Sequence, residues 1–209
     1  MRATACLGLA ALLLQAHIAL AASLPTARQG VAVRGFALQV LANHNNQGLP
    51  FLVVDKVQAK VWLFNAQGGL VGSSAALLGL AIGDSSAPGI GERALASIRP
   101  DERITPTGRF VSSLGRNLQG EEVLWVDYDS GLSLHRAIRG QAAERRAQRL
   151  ASPTPADNRV SYGCINMPPA FFNALVLPTV RKNGSIVYIL PETRPLDQVF
   201  DFLPTRSVR

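Results

Sequence analysis

A mainly β domain with a few short helices is what this sequence predicts, on three observations. Apolar stretches such as Phe51-Leu52-Val53-Val54 and Val123-Leu124-Trp125-Val126 have strand rather than helix length. From Val57 to Phe64, apolar Val57, Ala59, Val61 and Leu63 alternate with Gln58, Lys60, Trp62 and Phe64, the period of a strand with one face in a core. Between such runs stand Gly-, Pro- and Asn-rich turn segments such as Asn65 to Gly69.

The first 22 residues stand apart. Met1-Arg2 is a short positive start, Ala3 to Leu14 is almost wholly apolar, and Ala19-Leu20-Ala21 is a small-x-small cleavage pattern, so 1–22 is read as a signal peptide. Gln15 and His17 interrupt the stretch, which falls short of the ~20 apolar residues of a spanning helix. An uncleaved anchor is the alternative. Residues 23–49 read as a tether with one strand in Val31 to Leu41, 50–190 as the ordered domain, and 191–209 as a tail. Within the domain, Leu70 to Ile82 is the return from the first hairpin and Gly83 to Arg103 a long surface loop. Thr105 to Phe110 turns into a strand, and Val123–Val126 and Leu132–His135 are two more. Gln141 to Leu150 has helix composition, Pro168-Pro169 opens a helix carrying Phe171 to Leu175, and Gly184 to Leu190 is the last strand.

Charged residues make up only 17% of the chain, yet the formal charge is +7, with a pI near 10.2. In the cytoplasm that balance would point to nucleic acid; behind a signal peptide it points to wall and envelope polyanions instead. Export also sharpens the cysteine count. Cys6 lies inside the signal, so the mature chain keeps Cys164 alone and can form no internal disulfide. A lone thiol in an oxidising compartment is a candidate for chemistry, and a small buried apolar residue is the plainer reading.

Ser161-Tyr162-Gly163-Cys164-Ile165-Asn166-Met167 places that thiol after a glycine and four residues before the helix start. A helix N-terminus would favour the thiolate, and N–H groups there, including those of Gly163 and Cys164, would hold an oxyanion. Of the two histidines left by signal removal, His44 sits in a polar stretch and His135 ends an apolar strand. His135 is therefore the candidate base. No convincing cluster of metal ligands is visible, and no cofactor is called for.

Ser161 to Asn166 resembles the signature of the L,D-transpeptidase (YkuD) catalytic domain: Ser/Thr-His-Gly-Cys, an aliphatic residue, then Asn or Arg, with a histidine upstream. Val53-Val54-Asp55 with Val61 to Phe64 resembles that family's opening hairpin, and Thr105-Pro106-Thr107-Gly108 with Phe110 its Thr-Pro-x-Gly-x-Phe turn. The resemblance covers roughly residues 50 to 190 and implies a mixed-sheet β-sandwich. It implies Cys164 as nucleophile, His135 as base, Gly163 and Cys164 as oxyanion hole, and Ser161 and Asn166 in support. Two departures bear on substrate choice. Tyr162 stands where the family has histidine, and 25 residues separate His135 from Ser161, longer than usual. The excess is the Arg-rich Gln141 to Arg159 segment, in which Arg145, Arg146, Arg149 and Arg159 suggest carboxylate-binding forks on a lid stiffened by Pro153 and Pro155, against the plainer reading of a solvated helix face.

The function implied is that of a periplasmic or cell-wall transferase in peptidoglycan biosynthesis, cell-wall organisation and cell shape. Its substrates would be stem peptides, with another stem or a wall-anchored protein amine as acceptor, and neither nucleic acid nor a stable membrane span involved. The same Cys164/His135 pair with water as acceptor would make an L,D-carboxypeptidase or amide hydrolase, and a non-catalytic wall-binding protein is the rival of another class.

Overall fold

A computed structural model describes residues 25–137 and 142–204; the stretch read as a signal peptide lies outside the described residues. Helix α1 (Pro25–Ala42) is followed by β1 (Phe51–Asp55), β2 (Lys60–Phe64), β3 (Leu70–Ala75) and β4 (Leu78–Gly79). After a long loop come β5 (Gly108–Arg116), β6 (Glu122–Asp127) and β7 (Leu132–Arg136). Helix α2 (Arg146–Ala151), β8 (Arg159–Ser161), β9 (Ile165–Met167), a helix over 169–180 and β10 (Ser185–Ile189) complete the chain. The fold is mainly β, as the sequence predicts.

Eight strands form one mixed sheet in the order β3-β2-β1-β10-β5-β6-β7-β9, and β4 pairs with β8 beside it. The β1–β10 and β7–β9 pairs are parallel and the remaining pairs in the large sheet antiparallel. Strand β5 is where the sheet turns. Its first half, Gly108 to Ser112, pairs with β10, and its second half, Ser113 to Arg116, with β6. Leu124, Leu134 and Ile165 thereby share one core with Leu52, Val61 and Val187, which is how one sheet makes a sandwich.

Strands β1 and β10 are buried on both faces, as their unbroken apolar runs require. One face, carrying Leu52 and Val54, packs on Phe172, Val176 and Val180 of the 169–180 helix. That helix is an α turn (Pro169–Phe171), a π segment (Phe172–Val176) and a second α turn (Leu177–Val180). Pro178 lacks an N–H and crowds the carbonyl a turn earlier, and the π widening just before it relieves the conflict.

The other face corrects the expected tether. Val33, Phe36, Ala37 and Val40 recur at helical spacing and are buried against Phe51, Val53, Tyr188 and Phe200. A helix therefore stands where a strand over 31–41 was expected, and the packed unit extends beyond 50–190 at both ends. Val57 to Ala59, read as the start of a strand, lies in a turn over 56–59 in which Ala59 adopts φ 48° and Val57 is exposed. The described helices include none long and apolar enough to cross a membrane.

One buried ionic cluster ties the loop before β5 to this frame. The Lys56 ammonium, fully buried, lies 2.7 Å from Asp84 and 3.5 Å from Glu192, and donates to the Thr105 carbonyl. Arg159 completes it, pairing with Glu192 and donating to the Lys56 carbonyl.

Candidate active site

Parallel pairing of β7 with β9 sets His135 opposite Asn166 and Leu134 opposite Ile165. Residues two apart on a strand share a face, so Ser133 accompanies His135, while Leu132 and Leu134 enter the core. Cys164 immediately precedes β9 and meets that face: its Sγ is 3.6 Å from Ser133 Oγ and 3.5 Å from the Gly131 carbonyl oxygen. Burial pushes the thiol up, but hydrogen bonding and charge from His135, followed by Ser133, outweigh it and bring it below the ordinary thiol value. The helix-terminus explanation is thus corrected. Strand β9 separates Cys164 from the helix that opens at Pro169, and the nearby polar groups of β7 act instead.

The loop around the thiol is held from several sides. Ser161 Oγ donates to the Cys164 carbonyl at 2.6 Å and accepts the Gly163 N–H at 3.1 Å. Thr105 Oγ1 donates to the Gly163 carbonyl at 2.7 Å and accepts the Gly79 N–H. Gly163 sits at φ 132°, and a Cβ there would lie 2.8 Å from the Ile104 carbonyl oxygen, so glycine is required. With its N–H committed to Ser161, Gly163 is not available to an oxyanion in this arrangement. The Cys164 N–H has no protein acceptor among the described residues and is the remaining donor of the pair.

A cleft enclosing about 110 Å³ runs from Cys164, with walls that include Ile90, Ile98, Ile104, Pro106 and Tyr162. The Arg103 guanidinium lies over the Tyr162 ring at 3.9 Å. Arg149 and Arg159 are not on the cleft wall. Arg149 donates to the Glu144 and Asp157 carbonyls within its own segment, and Arg159 belongs to the Lys56 cluster. Neither offers a free fork, which removes the basis of the lid reading. Ser133 is a residue that sequence reasoning passed over, while Thr105 and Arg146 stand in the turn and the arginine-rich segment it singled out, with contacts it did not foresee. Ser133 was findable from the two-residue spacing to His135; Arg146 was hidden in a segment with several arginines.

No protein-family model matches the sequence, and no curated protein matches it. Solved structures similar to the chain are L,D-transpeptidase catalytic domains and other cell-wall proteins. The catalytic domain of an L,D-transpeptidase from E. faecium is 17% identical with a TM-score of 0.35, over 68% of this chain and 96% of that one. An L,D-transpeptidase from Mycobacterium smegmatis is 15% identical with a TM-score of 0.36, over 67% of this chain and 58% of that one. The helical cell shape determining protein Pgp2 from Campylobacter jejuni is 12% identical with a TM-score of 0.43, over 70% of this chain and 48% of that one. At such identities and scores the likeness carries no argument about chemistry, which rests on the site itself.

Proposed function

We propose that the protein is an exported L,D-transpeptidase that acts on peptidoglycan stem peptides through Cys164. The observation that carries this reading is the thiol itself, lowered by His135 and Ser133 and set at the end of a cleft. His135 takes the thiol proton, and sulfur attacks the carbonyl carbon of the diamino acid at stem position three. The Cys164 N–H donates to the oxyanion of the tetrahedral intermediate. Collapse breaks the amide, His135 returns the proton to the departing D-alanine, and a thioester remains. An amine of a second stem, or of a wall-anchored protein, attacks the thioester, gives up a proton to His135 and restores the thiolate. The apolar cleft walls support this order by limiting access of water, the competing acceptor.

The test incubates the protein lacking residues 1–22, and its Cys164→Ala variant, with disaccharide-tetrapeptide and follows products by mass spectrometry. A cross-linked dimer that has lost D-alanine, absent in the variant, is the expected result. Tripeptide alone would reassign the enzyme to the carboxypeptidases. No Cys164-dependent product, with a thiol that resists alkylation, would leave a wall-binding protein.

A further inference from the structure

We infer that Arg146, from the segment between β7 and β8, is a positioning residue that orients the side-chain amide of Asn166 and so keeps a hydrogen-bond donor on Nε2 of His135. The inference rests on the reading of His135 as the base. Its own evidence is a chain of hydrogen bonds in which each link leaves the next no choice.

Arg146 Nη1 lies 2.5 Å from Asn166 Oδ1. A guanidinium only donates, so the amide must turn its oxygen toward Arg146 and its NH₂ toward the other side. On that side, Asn166 Nδ2 lies 3.0 Å from His135 Nε2. The amide NH₂ donates, so Nε2 must accept and carries no proton. The ring proton is therefore on Nδ1, where it donates to the Arg136 carbonyl at 2.8 Å. Asn166 is 1% exposed, so water does not offer the amide an alternative partner.

Arg146 is itself held. Its Nε donates to Glu144 at 2.7 Å, and Arg149 grips the Glu144 and Asp157 carbonyls, closing the segment on itself. The groups around the imidazole are thus Cys164, Asn166 and the Arg136 carbonyl, with Ser133 beside the thiol and Arg146 and Glu144 behind the amide. The Arg136 side chain turns away to Asn173 and the Glu122 carbonyl.

The consequence concerns the base. With Nδ1–H committed to a backbone carbonyl, Nε2 holds the one lone pair that can accept the thiol proton, and Asn166 occupies it. Protonation at Nε2 would set two donors face to face, and the amide would have to turn over against Arg146. Arg146 therefore keeps a donor on the nitrogen that must take the thiol proton, and the Asn166 contact opens as that proton moves.

Long-range ¹H–¹⁵N correlation spectra of the protein lacking residues 1–22 test this. Only His44 and His135 contribute ring signals, and a His44→Gln variant assigns them. Above the imidazole titration, His135 should be the Nδ1–H tautomer in the wild type and in Arg146→Lys, whose ammonium also only donates. In Arg146→Ala the amide becomes free to turn, and the His135 Nε2 signal should move away from its position in the wild type and Arg146→Lys, while the Arg136 carbonyl, which only accepts, keeps the proton on Nδ1. Alkylation of Cys164, followed against pH on the same samples, should extend to lower pH in Arg146→Ala, because a turned amide accepts from the imidazolium. An Nε2–H tautomer in the wild type overturns the inference whether or not any variant folds, and so does an unchanged Nε2 signal in folded Arg146→Ala. An inert thiol with the expected change at Nε2 would instead sink the proposed chemistry and leave the Arg146 linkage standing.

Discussion

Burial and hydrogen bonding pull the Cys164 thiol in opposite directions, and Ser133 contributes to the side that wins. Ser133→Ala removes a hydroxyl whose bond to a thiolate contributes about 1 kcal/mol, so the low-pH alkylation rate should fall roughly fivefold without loss of fold. An unchanged rate would mean that His135 alone activates the thiol. Cys164 and His135 were both readable from sequence, because few thiols and imidazoles remain once the signal is set aside. The role of each main-chain N–H was not readable. Gly163 sits beside the nucleophile as an oxyanion donor would, but a serine two residues earlier takes its N–H, a pairing decided by how tightly the loop turns.

Between elements, the controlling contact joins the Thr105–Gly108 turn to the cysteine loop. Thr105 bridges Gly79 and Gly163, and the Ile104 carbonyl lies where a side chain on residue 163 would project. Gly163→Ala should destabilise the protein by about 1–3 kcal/mol, through strain at a positive φ and displacement of the Ile104 strap. Thermal unfolding measures the loss, and slower alkylation should accompany it as the thiol moves off Ser133. A stable variant with normal alkylation would show that the loop yields easily. Strand positions were legible because alternation and turn residues are local signals. Helix α1 was missed although Val33, Phe36, Ala37 and Val40 carry the helical period, since its weakly amphipathic sequence gains its reason to fold from the sheet face it covers. The turn of the sheet along β5 lay beyond reach, being set by which partner each half of the strand finds.

For the whole molecule, the Lys56 cluster links pH to stability. Burial pushes the Asp84 carboxyl up, but Lys56, Thr193 and two backbone N–H groups hold it far below the usual carboxylate range. A carboxyl depressed in the folded state stabilises the fold above its unfolded value near about 3.9, and that contribution fades as pH falls through the folded value. Asp84→Asn leaves Lys56 short of its closest counter-charge and should cost about 3–5 kcal/mol at neutral pH. Urea unfolding at neutral and acid pH checks both size and sign: the gap between wild type and variant should narrow on acidification. A constant gap would place the acid sensitivity elsewhere. The tie was not visible in sequence because Lys56, Asp84, Arg159 and Glu192 are scattered along the chain and become neighbours only when the loop before β5 closes.

Strand β10 comes after the other strands of the described residues in chain order, yet it lies between β1 and β5 in the middle of the sheet. Until residues 185–189 have left the ribosome, the two halves of the sheet have no shared seam, and β1 has no partner on that edge. Joining them closes a loop of most of the chain's length, a slow step for any sheet. A nascent chain of this protein therefore stays open along its middle until residue 189 has emerged, the condition in which a polypeptide can still be threaded through a narrow pore.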